Sequence, residues 1–194
     1  MVRPRVESAD KVRQVAVQRA LDRVYAQWKG DSDDCWMEYF DYTIHHDAND
    51  ILDITFRASG LGAYPWTNTA HITLDLKTGR PLDPKRAFDP KRLRALARLV
   101  DKKVQAAVKA GPAHGVDCCD GDRWTPRPDD VPSFRSNALG DFMLTSRGLV
   151  FFYDFGIPHV IQVLTPKSEY LMTSRELAPY ILREGPLGWL EEAK

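Results

Sequence analysis

The chain has 194 residues, 43% of them hydrophobic and 28% charged, with 27 basic side chains balancing 27 acidic ones. That is the composition of an ordinary soluble globular domain, and zero net charge excludes a global field drawing the protein to nucleic acid or to an anionic membrane. No apolar run approaches the ~20 residues that span a bilayer, and the charged stretch from Met1 to Gly30 has no apolar core of a signal peptide.

Ser8 is a capping residue, and the spacing predicts a helix from there to about Trp28. Val17, Ala20, Leu21, Val24, Tyr25 and Trp28 recur at the three-four spacing of one buried face. Gly30-Asp31-Ser32-Asp33-Asp34 breaks it, so residues 1–30 read as a helical extension ahead of a single domain over residues 31–194. Three strands follow. Trp36, Phe40, Tyr42 and Ile44 share one side, as do Leu52, Ile54, Phe56 and Ala58, and again Ala70, Ile72, Leu74 and Leu76. Period two in three neighbouring segments predicts an antiparallel sheet with one buried face. His46-Asp47-Ala48-Asn49-Asp50 reads as the first hairpin turn, and Lys77-Thr78-Gly79-Arg80 ends the third strand.

Asp89-Pro90 is a helix start, and Leu93, Leu96, Ala97, Val100, Val104 and Val108 form an apolar stripe that Gly111-Pro112 stops. Ala113 to Pro132, rich in Gly, Pro and Asp, reads as a long surface loop. Phe142–Thr145 and Leu149–Asp154 form a second hairpin around Ser146-Arg147-Gly148. Val160–Leu164 is a further strand, and Ser168 or Ser174 opens closing helical turns. The expected fold is α+β: an antiparallel β-sheet with one main helix, Pro90–Ala110, packed on it, plus the amino-terminal helix.

Several places are candidates for function. In the loop Gly60–Asn68, the residues Gly62, Tyr64, Pro65, Trp66 and Asn68 can present flat aromatic surface at low entropic cost, to a protein or to a sugar ring. The competing reading tucks Tyr64 and Trp66 back over the core. Asp122 and Trp124, in the long loop, are the expected flanking contacts. Charge is segregated. Asp31, Asp33, Asp34, Glu38, Asp41, Asp47, Asp50 and Asp53 fall together without a single Lys or Arg, while Lys91 to Lys109 holds seven basic residues against only Asp101. An acidic face would steer a basic partner.

His45-His46-Asp47 is not expected to hold a metal, because successive strand residues point to opposite faces. Cys35, Cys118 and Cys119 are too few for a disulfide framework; they allow one bridge from Cys35 to a member of the pair, or three free thiols. For chemistry, Asp53 and Asp75 lie on the polar side of their strands and are expected to be exposed. With His71 they form the least favoured reading, a small hydrolase. No cofactor loop or metal motif accompanies them.

Three segments carry a resemblance. They are Asn49-Asp50-Ile51-Leu52-Asp53-Ile54-Thr55-Phe56, the stretch from Asn68 through Asp75-Leu76-Lys77-Thr78-Gly79-Arg80, and Phe142 to Tyr153. With the intervening helix they make residues 39–183 similar to the RsiV/PdaC-type cell-envelope domain family, typified by the ectodomain of a lysozyme-responsive anti-sigma factor. The loop Gly60-Leu61-Gly62-Ala63-Tyr64-Pro65-Trp66 departs from the family's Gly-Gly-Ala-His-Pro-like pattern, and Gly156-Ile157-Pro158-His159 departs from its proline-tyrosine stretch. The resemblance implies an envelope location, periplasmic or extracellular, and no cofactor. It implies a non-catalytic domain that binds a lysozyme-like peptidoglycan hydrolase or secreted toxin, as an inhibitor, immunity protein or sensor. A carbohydrate-binding accessory module for peptidoglycan is the alternative.

Overall fold

The computed structural model describes residues 4–7, 10–29, 36–62, 65–111, 129, 131–156 and 165–191. The fold is α+β, as expected, and the chain divides into two compact units. One is Met1–Asp83 with Phe142–Thr145; the other is Pro84–Asp141 with Ser146–Lys194. Ser8, Cys35, Cys118, Cys119, Val160–Leu164 and nearly all of the Ala113–Pro132 loop lie outside the described residues.

In the first unit, helix α1 spans Lys11–Lys29. Asp10 caps it: its Oδ1 accepts from the backbone N–H groups of Val12 at 2.9 Å and Arg13 at 3.1 Å, satisfying donors that have no partner within the helix. Strands β1 (Trp36–Ala48), β2 (Ile51–Leu61), β3 (Pro65–Asp75) and β4 (Arg80–Pro81) form an antiparallel sheet in that order. The first face buries Leu52, Ile54, Phe56 and Ala58 with Phe40 and Leu74 against Val17, Ala20, Leu21 and Val24 of α1. Tyr25 meets the Phe40 ring edge-on at 5.0 Å between centroids. The amino-terminal helix is thus part of this unit's core, and each of these large side chains contributes about 1.5–3 kcal/mol by leaving water.

The first hairpin is tighter than composition suggested. β1 runs on through His46, Asp47 and Ala48, and the turn is Asn49-Asp50 alone, with φ of 54° and 59°. Both central residues are left-handed, as a two-residue turn matching the strand twist requires, and Asn and Asp are the non-glycine residues that tolerate it best. Glu38 and His45 lack partners in the β1–β2 register, whose shifts fall between Met37 and Tyr39 and between Ile44 and His46. After β3, the Asp75 carboxylate accepts from Lys77 N–H at 2.8 Å, and Gly79 N–H donates to the Asp75 carbonyl at 2.8 Å. Gly79 has φ of 64°, and a Cβ there would sit 2.4 Å from the Ala16 Cβ of α1. The Asp-Leu-Lys-Thr-Gly sequence is therefore a turn on which α1 rests, with glycine demanded by both conformation and space.

A short strand, β5 (Phe142–Thr145), completes the first unit by lying on the sheet's second face. In the second unit, α2 (Pro84–Ala87) and a turn from Pro90 to Arg92 lead to α3 (Leu93–Ala110). The Asp89 side chain accepts from Lys91 N–H at 2.9 Å, so the proline starts the turn before the helix rather than the helix itself. Leu96, Ala97, Val100, Val104 and Val108 are the buried stripe. β6 (Gly148–Phe152) pairs antiparallel with β7 (Glu169–Thr173), and Lys103 of α3 donates to the Leu171 carbonyl at 2.7 Å. Helix α4 (Ser174–Leu177) opens from Thr173, one residue before Ser174, through a reciprocal capping box with Glu176.

Candidate functional site on the second sheet face

In β2 both faces are enclosed over the first half of the strand, and only the first is apolar. On the second face Ile51, Asp53 and Thr55 are buried, opposite Asp75, Thr73 and His71 of β3. The expectation that Asp53 and Asp75 are exposed strand carboxylates is corrected here: Asp53 is fully buried and Asp75 is 3% exposed. The cause is β5. Leu144 N–H donates to Asp53 Oδ2, and Thr73 Oγ1 donates to the Phe142 carbonyl at 2.9 Å. Polar side chains on a sheet interior thereby satisfy backbone groups of a strand running over it, which is what makes their burial tolerable.

The other Asp53 oxygen, Oδ1, lies 2.7 Å from His71 Nε2. His71 Nδ1 lies 2.8 Å from Thr55 Oγ1, and Thr55 Oγ1 lies 2.8 Å from Nε2 of His45. The Asp53–His71 contact is an ion-pair approach without hydrogen-bond alignment, and the two hydrogen bonds of Thr55 run in the directions that the imidazole tautomers set. The relay runs from a carboxylate with no exposure to a histidine on the surface. His45 reaches it from the irregular position in β1, where the regular alternation of strand side chains is interrupted. Burial is the main influence on His45 and holds its pKa below the usual imidazole value, against the pull of the Asp53 carboxylate.

Beyond Thr55 the second face opens to solvent. Tyr39 pairs with Ser59 and Thr67 across β1, β2 and β3, Asp41 with Arg57 and Thr69, and Leu61 with Pro65. Tyr39 is 50% exposed and Leu61 48%, with Arg57, Pro65, Thr67 and Thr69 exposed beside them. Tyr39 O–H donates to Asp41 Oδ2 at 2.9 Å, and the Tyr42 backbone N–H donates to Asp41 Oδ1 at 2.8 Å. The Tyr42 hydrogen bond, followed by that from Tyr39, holds the Asp41 pKa below the usual carboxylate value.

Of the residues singled out in the Gly60–Asn68 segment, Gly62, Pro65 and Asn68 are exposed, and Trp66 is half-buried against the core shared with α1. Tyr64, Asp122 and Trp124 lie outside the described residues. Pro65 is on the open face near Leu61. Of the acidic cluster, Asp31, Asp33 and Asp34 lie outside the described residues, Asp53 is internal, and Asp50 is ion-paired with Arg13 at 3.4 Å and Lys77 at 3.1 Å. Asp75 is committed to its turn through Lys77 and Thr78. Among the described residues, no three His, Cys, Asp or Glu side chains gather as metal ligands would, and no helix is long and apolar enough to cross a membrane.

Sequence reasoning singled out Asp53 and His71, weighed His45 only as a metal ligand and missed Thr55. The available signal was register: counting outward from the Leu61–Pro65 pair sets Thr55 beside His71, whereas the shift between Ile44 and His46 conceals the link to β1.

No protein-family description matches the sequence, and no curated protein does. Among solved structures, the crystal structure of a member of the duf3298 family from Bacteroides fragilis NCTC 9343 is similar over 93% of this chain and 68% of that one, at 16% identity and a TM-score of 0.48.

Proposed function

We propose that the protein is a cell-envelope recognition domain that binds, and by binding inhibits, a lysozyme-like peptidoglycan hydrolase or a secreted toxin. The observation that carries this reading is the open half of the second sheet face. Tyr39 and Leu61 stand half exposed there among Arg57, Pro65 and Thr67. Aromatic and aliphatic side chains set among polar ones on a rigid sheet form the kind of surface whose few anchors dominate protein–protein affinity. The resemblance of residues 39–183 to the RsiV/PdaC-type domain supplies the envelope setting and the class of partner.

The test is calorimetric titration into a lysozyme-type hydrolase, with the rate of wall lysis followed in parallel. Submicromolar binding that slows lysis, and that weakens at least tenfold in a Tyr39→Ala/Leu61→Asp double variant, supports the reading. No binding by the folded chain to any hydrolase tested sinks it.

The second reading, a carbohydrate-binding accessory module for peptidoglycan, is favoured by a different observation. The second unit has a cleft of about 410 Å³ whose lining includes Asp141, Tyr153, Asp154, Phe155, Thr165 and Ser168. Aromatic faces beside carboxylates and hydroxyls suit a sugar ring, which offers an apolar face and a rim of hydroxyls. Retention on wall sacculi, lost in a Tyr153→Ala/Asp154→Ala variant, separates this reading from the first.

A further inference from the structure

The contacts among Asp53, His71 and Thr55 have the order of an activated nucleophile: a hydroxyl on a base, and the base on a buried carboxylate. Thr55 Oγ1 is hydrogen-bonded to His71 Nδ1 at 2.8 Å, and His71 Nε2 stands 2.7 Å from Asp53 Oδ1 in an ion-pair contact that is not aligned as a hydrogen bond. This is the arrangement by which hydroxyl nucleophiles are activated on unrelated folds, recognised by geometry and roles rather than by sequence position. The imidazole is turned end for end relative to the familiar serine hydrolase triad, with Nδ1 toward the hydroxyl, which leaves the proton transfer chemically equivalent.

Two further features suit chemistry. Arg57 follows two residues along β2 on the same face, about 7 Å from Thr55 by strand geometry, and is exposed. A guanidinium there can meet negative charge developing on a substrate oxygen beside Thr55. His45, an exposed side chain, covers the hydroxyl from the solvent side through its 2.8 Å contact.

We propose that Thr55 is a nucleophilic hydroxyl that accepts an acyl group from an activated carboxylic ester, with His71 as general base and Asp53 as the positioning residue. This goes beyond the recognition reading and does not depend on it. The Thr55 oxygen adds to the ester carbonyl carbon while its proton passes to His71 Nδ1, leaving an imidazolium paired with Asp53. The carbonyl oxygen becomes the oxyanion that faces Arg57. Collapse breaks the bond to the alkoxide, which leaves as the alcohol with the proton from His71, and the acyl group stays on Thr55. Water repeats the sequence: it loses a proton to His71, adds to the acyl carbon, and releases the carboxylic acid as the Thr55 oxygen regains its proton.

The experiment incubates the full chain with an alkyl fluorophosphonate, which forms an O–P bond with the nucleophilic oxygen and loses fluoride, with the hydroxyl proton passing through the base. Intact mass measures stoichiometry, and peptide mapping identifies the residue. The expected result is one adduct per chain on Thr55. Thr55→Val must abolish labelling and Thr55→Ser retain it. His71→Asn should slow it at least about a hundredfold, the usual worth of a general base. Asp53→Asn should slow labelling while the chain stays folded by circular dichroism. His45→Ala, which uncovers the hydroxyl, should leave labelling intact or faster. No adduct on the folded wild-type chain overturns the proposal, as does an adduct on another residue or one formed equally well in His71→Asn.

Discussion

Truncating Asp53 tests the physical account of the second sheet face most directly. The side chain is fully buried, accepts from Leu144 N–H through one oxygen and stands 2.7 Å from His71 Nε2 through the other. Asp53→Ala leaves the Leu144 donor without a partner inside the protein and removes one member of the buried contact with His71; breaking such a buried pair costs about 3–5 kcal/mol, a large share of the stability of a typical domain. Asp53→Asn behaves differently because the amide oxygen still accepts from Leu144 and the shape of the side chain is kept, so the expected loss is about 1 kcal/mol. Urea denaturation followed by circular dichroism measures both, read as shifts in midpoint at constant slope. If Asp53→Ala costs less than about 1 kcal/mol, or the two variants lose equal stability, Asp53 does not hold β5 as described.

Two other expectations follow from local geometry. Gly148 has φ of 140°, and a Cβ there would lie 2.1 Å from the Met172 carbonyl oxygen, so Gly148→Ala should destabilise by more than about 3 kcal/mol and lower the melting temperature accordingly. Burial, followed by Tyr153, pushes the Tyr170 phenol up to about 12, and its O–H donates to the Lys167 carbonyl. An acid whose pKa is higher folded than unfolded favours folding in its protonated form. Its contribution is complete below the unfolded value near 10 and is lost as pH rises from there to about 12. Melting temperatures measured between pH 8 and pH 11.5 should fall steeply above pH 10, and less steeply in Tyr170→Phe; equal slopes would refute the assignment.

The parts of the fold legible in the sequence are those set by local period. Leu52, Ile54, Phe56 and Ala58 announce the apolar face of β2, and Val17, Ala20, Leu21 and Val24 announce the stripe of α1 that meets it. Asp53 and Asp75 read as the polar, solvent side of their strands because alternation marks which side chains share a face, not whether something covers it. The covering strand is 91 residues away from Asp53 and 69 from Thr73. A four-residue strand with its own ordinary alternation carries no local mark of where it lies. His45 was set aside for a similar reason. Adjacent strand residues diverge, but the shift in β1–β2 register beside it breaks that rule, and such irregularities are made by pairing rather than by composition.

The polar pinning of β5 also bears on what the relay is for. Asp53 and Thr73 bind the β5 backbone at a donor on Leu144 and an acceptor on Phe142, so sliding β5 by one residue would orphan both side chains at once. That requirement explains Asp53 Oδ2 and the Thr73 hydroxyl completely. It does not explain the second Asp53 oxygen, which stands 2.7 Å from His71 Nε2. Nothing in holding β5 calls for His71 to be bonded in turn to Thr55, or for Thr55 to be bonded to an exposed histidine at the margin of an open sheet face. A latch would end inside the protein. This one continues to the surface, and Asp53→Asn divides the two roles, because the amide oxygen keeps the latch to Leu144 closed while the carboxylate facing His71 is gone.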